Sequence, residues 1–155
     1  MIDQTDVVYK ENSDKLDKIK RGARKERLKV PIPVIGEAFM KLSKNRDPSV
    51  KRDAFRTLDK LIADKRVELV AFGHGSDAFT YAKQLMEVCN KSQYSQDTLY
   101  PMDALIIADA IIDNECSKVY TSDFLLLMNE ELQNKVNEIR ANIDKSYGKL
   151  KFRKL

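Results

Sequence analysis

Residues 103–114, "DALIIADAIIDN", are the stretch that most restricts this chain. As a helix it is apolar on nearly every side, and such a helix is stable only inside a packed protein. At 155 residues the chain is long enough to bury one core without staples, so a single domain over 1–155 is expected. Hydrophobic residues make up 43% and charged residues 34%, the balance of a soluble globular chain and not of a disordered one.

The apolar runs are too short to span a bilayer, and the N-terminus lacks the basic-then-apolar layout of a signal peptide. These two features predict a cytoplasmic protein with no membrane partner. Cys89 and Cys116 are far apart and lack metal-knuckle spacing. Both lie among apolar neighbours, so two buried thiols and one bridge are both compatible with the sequence.

Around the apolar helix, strand-like and helix-like segments alternate. Tyr9, Leu16, Ile19 and Ala23 recur at helical spacing over 9–23. "LKVPIP" (28–33) is a short strand closed by prolines, and Pro33 suits the first turn of a helix striped by Ile35, Ala38, Phe39 and Leu42. Asp47 before Pro48 starts a further helix, with Ala54, Leu58, Leu61 and Ile62 on one face. "VELVAF" (67–72) reads as a buried strand, and Ser76 as the cap of a helix bearing Ala78, Phe79, Ala82, Leu85, Met86 and Cys89. "KVY" is a strand, "DFLLLMNEELQNKVNEIRANI" a mostly helical return, and "KLKFRKL" a basic edge strand. The alternation predicts an α/β protein, three-layer α/β/α, with a mainly parallel central sheet.

Ligand sites of parallel sheets lie at the carboxyl ends of the strands. Asp123 follows "KVYTS" at such an end, and Asp103 opens the apolar helix. Each has a plain alternative reading as a helix cap. Glu37 points away from the Ile35/Phe39/Leu42 stripe, beside Gly36. The three are expected at the starts of helices along one sheet edge. Carboxylates gathered there repel one another unless a divalent cation lies between them, and hard oxygen donors favour Mg²⁺ or Mn²⁺. Asp109 lies six positions beyond Asp103, which rotates it off that residue's helix face. It can line the rim of a metal site, pair with a basic residue or cap polar structure elsewhere.

"VPIPVIGEAFMKL" (30–42), "YPMDALIIADAII" (100–112) and "VYTSDF" (119–124) together resemble three motifs of PIN-domain nucleases of the VapC kind. In that family a strand leads to a helix bearing a Glu. A Pro-x-Asp-Ala-Leu-Ile helix follows, and a later strand ends in Thr-x-Asp. The order and approximate spacing match over most of the chain. The resemblance implies a PIN-like fold and an endoribonuclease whose acidic pocket binds Mg²⁺ or Mn²⁺. It carries over Glu37, Asp103 and Asp123 as metal-binding and catalytic residues, with Thr121 and Ser122 as supporting hydroxyls.

The family pattern opens with an apolar strand ending in an Asp. Here "MID" is either the stub of that strand, with Asp3 as the first acid, or the strand is absent and "DQTDVVYKENSDKLDKI" is the loop and helix that follow it. The spacing to Glu37 suits the second alignment better. A chain that lacks the strand is expected to fold poorly, to recruit "IDQTDVVY" in its place, to borrow a strand from a partner, or to begin downstream of its true start.

The formal charge of +4 is unevenly distributed, with "KIKRGARKERLK" (18–29) and "GKLKFRKL" (148–155) rich in cations. Such blocks are either solvated surface or phosphate contacts. Lys20, Arg21, Arg24, Lys25 and Arg27 are the candidate RNA contacts. The leading expectation is a metal-dependent endoribonuclease, either the toxin of a toxin–antitoxin pair with an antitoxin protein as partner, or an RNA-processing enzyme. Homodimerisation fits either. The second expectation is a catalytically degenerate module that binds RNA or a partner protein. His74 has no Cys or second His with which to build a site, and the glycines around it read as turn chemistry.

Overall fold

The computed structural model describes residue 21 and residues 27–71, 73–91, 99–121 and 123–154. The expected helix over 9–23 lies outside the described residues apart from Arg21, which is helical and exposed. The chain divides into two compact units, Met1–Ala71 and Phe72–Leu155. The fold is mixed α/β with short parallel strand pairs, one pair in each unit among the described residues.

In the first unit, strand β1 (Leu28–Pro31) leads into helices α1 (Ile32–Ser43) and α2 (Pro48–Ile62), and strand β2 (Val67–Val70) returns parallel to β1. The register runs from Leu28 beside Val67 to Pro31 beside Val70. β1 stops at a proline, which has no N–H for a ladder, and Pro33 enters the first turn of α1, where a missing N–H costs nothing. Asp47 caps α2, its Oδ1 accepting from the Ser49 amide at 2.8 Å and the Ser49 hydroxyl at 2.8 Å. Val30, Leu42, Ala54, Leu58, Leu61 and Val67 form the core, with Leu28, Ile35 and Phe55 against it.

Three expectations change here. Phe39 and Ile62 belong to the expected stripes yet are exposed, Phe39 resting against Phe55 with ring centroids 5.1 Å apart. β2 is not a fully buried strand: Val67 faces the core and Leu69 is exposed. Val67 and Leu69 share one face of the strand by its period of two, and the core covers that face at Val67 and not at Leu69.

The hydrogen bonds to Asp47 hold its carboxyl below the ordinary carboxylate range. Those from the Ser146 amide and hydroxyl do the same for Asp144. A carboxylate with a depressed folded-state pKa stabilises fully above its unfolded pKa, and that stabilisation is lost as pH falls through the folded value. Asp47→Ala is therefore expected to lower the thermal midpoint at neutral pH. Its difference from the parent should shrink below about pH 3.9, the ordinary Asp value. A pH series of melting curves tests this, and a difference that does not change with pH counts against the cap.

The second unit begins with helix α3 (Gly75–Lys91) and helix α4 (Pro101–Ile112). Strand β3 (Lys118–Thr121), the short α5 (Phe124–Met128), α6 (Glu130–Ile143) and β4 (Lys151–Lys154) follow. β4 lies parallel to β3, with Lys118 beside Lys151, Val119 beside Phe152, Tyr120 beside Arg153 and Thr121 beside Lys154. α3, α4 and α6 pack on one another. α4 buries Ala104, Ile107, Ala108 and Ile111, as its composition requires. α3 starts at Gly75 (φ 49°), so Ser76 lies inside its first turn and is not the cap. The His74 carbonyl accepts from the Asp77 amide there.

Two polar side chains of α6 lock this unit. Asn137 accepts from the Leu150 amide at 2.8 Å and donates to the Leu150 carbonyl at 3.3 Å, which sets where β4 begins. Arg140 is 2% exposed and donates to five backbone carbonyls: Ala110, Ile111, Asp113, Cys116 and Gly148. Its guanidinium also lies over Tyr147, 5.2 Å from the ring centroid. Ala110 and Ile111 belong to the last turn of α4, whose carbonyls have no intrahelical donor and carry the negative end of the helix dipole. One buried cation thus closes α4 and holds the chain that leads into β3.

Cys89 and Cys116 are both free thiols. Burial, and secondarily the charge of Glu131, push the Cys89 thiol up. At neutral pH it is therefore expected to resist iodoacetamide until the unit is unfolded; labelling in the native state at the rate of a free thiol counts against that burial.

Candidate functional site

In the first unit Glu37 is the sixth residue of α1, in its second turn, and not at the helix start. The dipole of α1 therefore gives its carboxylate little support. It is exposed and pairs with Lys41 one turn on, Oε1 to Nζ 2.6 Å. Arg27 extends from the start of β1 to Glu68, Nη2 to Oε2 2.8 Å, and both are largely solvent-exposed. An exposed pair of this kind contributes about 0–1 kcal/mol, so Arg27 exchanges partners at little cost. Lys20, Arg24 and Lys25 lie outside the described residues, as does Asp3.

In the second unit Asp103 is not the cap of α4. Tyr100 holds that position, and Asp103 is the third helical residue and half-buried. The chain reaches it from Pro101, whose ring suits a helix start, so the carboxylate sits where the dipole favours an anion. Asp123 is exposed and lies just before α5, two residues past the end of β3, as the α/β pattern requires. Its backbone amide donates to Thr121 Oγ1 at 3.0 Å, so the Thr121 hydroxyl orients the turn that carries Asp123. Ser122 lies outside the described residues.

Asp109 takes one of the roles open to it. Its Oδ1 lies 2.7 Å from His74 Nδ1, and the Asp side chain is 17% exposed against 39% for His74. The pair joins the entry of α3 to the last turn of α4. His74 therefore has a polar partner that a search for nearby Cys or His does not find. An ionised carboxylate only accepts, so with Asp109 ionised the contact is Nδ1–H to Oδ1 and the carboxylate orients the ring.

No group of three or more His, Cys, Asp or Glu side chains arranged to hold a metal ion occurs among the described residues. The carboxylates of Asp103 and Asp123 are hard oxygen donors of the kind Mg²⁺ and Mn²⁺ take, and Mg²⁺ commonly keeps waters beside one or two carboxylates. Their chemistry fits such an ion. No helix is long and apolar enough to cross a membrane among the described residues.

Arg140 is the residue that sequence reasoning missed. Its signal is present: Leu132, Val136, Ile139 and Arg140 fall on one helical stripe, and all four are buried. A lone cation on an apolar stripe calls for a buried partner, and here that partner is a set of carbonyls.

No family model, curated protein or solved structure matches this chain.

Proposed function

We propose that the protein is a PIN-like, metal-dependent endoribonuclease with a three-layer α/β/α fold. Asp103 and Asp123 would be its metal-binding carboxylates, and Glu37 is the further acid that the family resemblance implies. The observation that carries this reading is the placement of Asp123 just beyond the carboxyl end of the parallel strand β3, with Thr121 holding its turn. Asp103 at the third position of α4 and the order of the three resembling motifs support it. A bound Mg²⁺ or Mn²⁺ supplies an activated water and offsets phosphate charge. An antitoxin protein and a second copy of the chain are the proposed protein partners.

A second reading, a catalytically degenerate PIN-like module that binds RNA or a partner protein, is favoured by one observation. Glu37 already has a cation on it, Lys41, and lies beyond the first turn of its helix. Incubation of RNA with the purified chain and Mn²⁺ or Mg²⁺, together with calorimetric titration of each metal, separates the two. Metal-dependent cleavage with a saturable metal site supports the nuclease. Metal binding no greater than background, without cleavage, supports the degenerate module.

A further inference from the structure

We propose that the outer face of the β3–β4 sheet binds a single-stranded nucleic acid, with Tyr120 stacking on a base and Lys118, Lys151 and Arg153 meeting phosphates. The residues reach this face through two independent constraints. Side chains alternate along a strand, and Val119 and Phe152 both pack against the core of the second unit. Lys118, Tyr120, Lys151 and Arg153 therefore project from the opposite face. The parallel register then sets Lys118 beside Lys151 and Tyr120 beside Arg153. Neighbouring strands lie about 5 Å apart and alternate residues about 7 Å along, so the four side chains make a compact two-by-two patch.

The composition of that patch points to its occupant. The two strands, "KVYT" and "KFRK", contain four cations and no acid. Tyr120, Lys151 and Arg153 are all exposed, and Tyr120 keeps 43% of its surface open on a sheet anchored from below by Phe152. An open aromatic ring flanked by cations suits a strand with both unpaired bases and phosphates: the ring stacks on any base and the cations release counterions. An arginine next to the ring extends the platform, because its guanidinium also stacks. An acidic peptide would use the charges and leave the ring without a role. A duplex hides its base faces and would do the same. The proposal rests on this sheet and not on the nuclease reading, and it applies equally to an inactive protein.

The test is fluorescence anisotropy of a labelled oligouridylate about twelve nucleotides long, within the usual site size. EDTA is present throughout, so binding is read without metal or cleavage. Tyr120→Ala is expected to weaken binding roughly tenfold at fixed salt, while Tyr120→Phe, which keeps the ring, stays within about twofold. The double change Lys151→Gln with Arg153→Gln is expected to flatten the plot of log affinity against log salt by about 1.4, the share of two phosphate contacts on a single strand. All these positions are exposed or half-exposed, and circular dichroism checks that each variant keeps its fold. A matching oligothymidylate identifies the source: tighter binding of the uridylate points to RNA, and equal binding to either single strand, and both support the surface. Equal binding by Tyr120→Ala and the parent, an unchanged salt slope, or equal competition by a poly-aspartate peptide overturns it. Failure here leaves the nuclease reading standing, and absence of cleavage leaves this surface standing.

Discussion

Arg140→Met should lower the stability of the second unit by about 3–5 kcal/mol, among the largest losses a single substitution causes. Methionine fills much of the same volume, so the loss is one of donors more than of packing. The arginine donates to carbonyls of Ala110, Ile111, Asp113, Cys116 and Gly148, and methionine supplies no donor in its place; the Asp113 carbonyl keeps the Cys116 amide at 3.1 Å. A buried acceptor left without a partner costs about 1–3 kcal/mol before relaxation, and water entering the loop recovers part of it. The dipole of α4 also loses its compensating charge. Arg140→Lys keeps the charge but has only three donors on one nitrogen, and cannot span carbonyls on α4, the 113–116 loop and Gly148 together. It should fall between parent and methionine. Denaturant unfolding measures both, and native-state hydrogen exchange should show the lost protection concentrated in α4, β3 and β4. A loss under about 1 kcal/mol for Arg140→Met would mean that the carbonyls do not depend on the guanidinium.

Asp103→Asn has the largest expected effect on activity under the nuclease reading: a loss of at least about a hundredfold in Mn²⁺-dependent RNA cleavage, with the fold intact. The change removes one negative charge and almost no volume. At the third position of α4 the carboxylate's interaction with the helix dipole contributes about 0.3–1 kcal/mol. Far-ultraviolet circular dichroism should therefore be unchanged and the melting temperature should fall by only a few degrees. Calorimetry should show weakened metal binding in parallel with activity. Cleavage equal to the parent's by a folded Asp103→Asn protein would remove Asp103 from the catalytic set. Loss of activity with unchanged metal binding would give it a role other than holding the ion.

The two experiments act at opposite ends of one element. α4 carries Asp103 in its first turn, and Arg140 closes its last turn and the loop that leads into β3 and on to Asp123. Arg140 therefore holds the backbone between the end of α4 and the start of β3. Under the nuclease reading, Arg140→Lys is accordingly expected to reduce cleavage more than its loss of stability explains.

How much was legible in the sequence depended on how local the cause was. The Pro31 and Pro33 boundary between β1 and α1, the Asp47 cap of α2 and the burial of α4 each follow from residues within one or two turns, and each was read correctly. Phe39, Ile62 and Leu69 were read as buried because periodicity names the apolar face of an element, and they are exposed because it does not say what covers that face. The position of Asp103 shifted for a similar reason: Tyr100 became the cap because Pro101 starts the helix two residues earlier.

By itself, then, the sequence determined the type and order of the described elements: short strands and helices in succession, one helix apolar enough to require burial, and an acid, Asp123, between a strand end and the next helix. Hydrogen bonding and hydrophobic period act over a few residues, so these features need no knowledge of the rest of the chain. Only the tertiary structure decided the partners. His74 and Asp109 are 35 residues apart, Arg140 reaches carbonyls up to 30 residues back, and the Lys118/Lys151 and Tyr120/Arg153 neighbours exist only because β4 docks parallel to β3. Such meetings depend on how whole helices and strands pack and register, and no local pattern in the sequence records that choice.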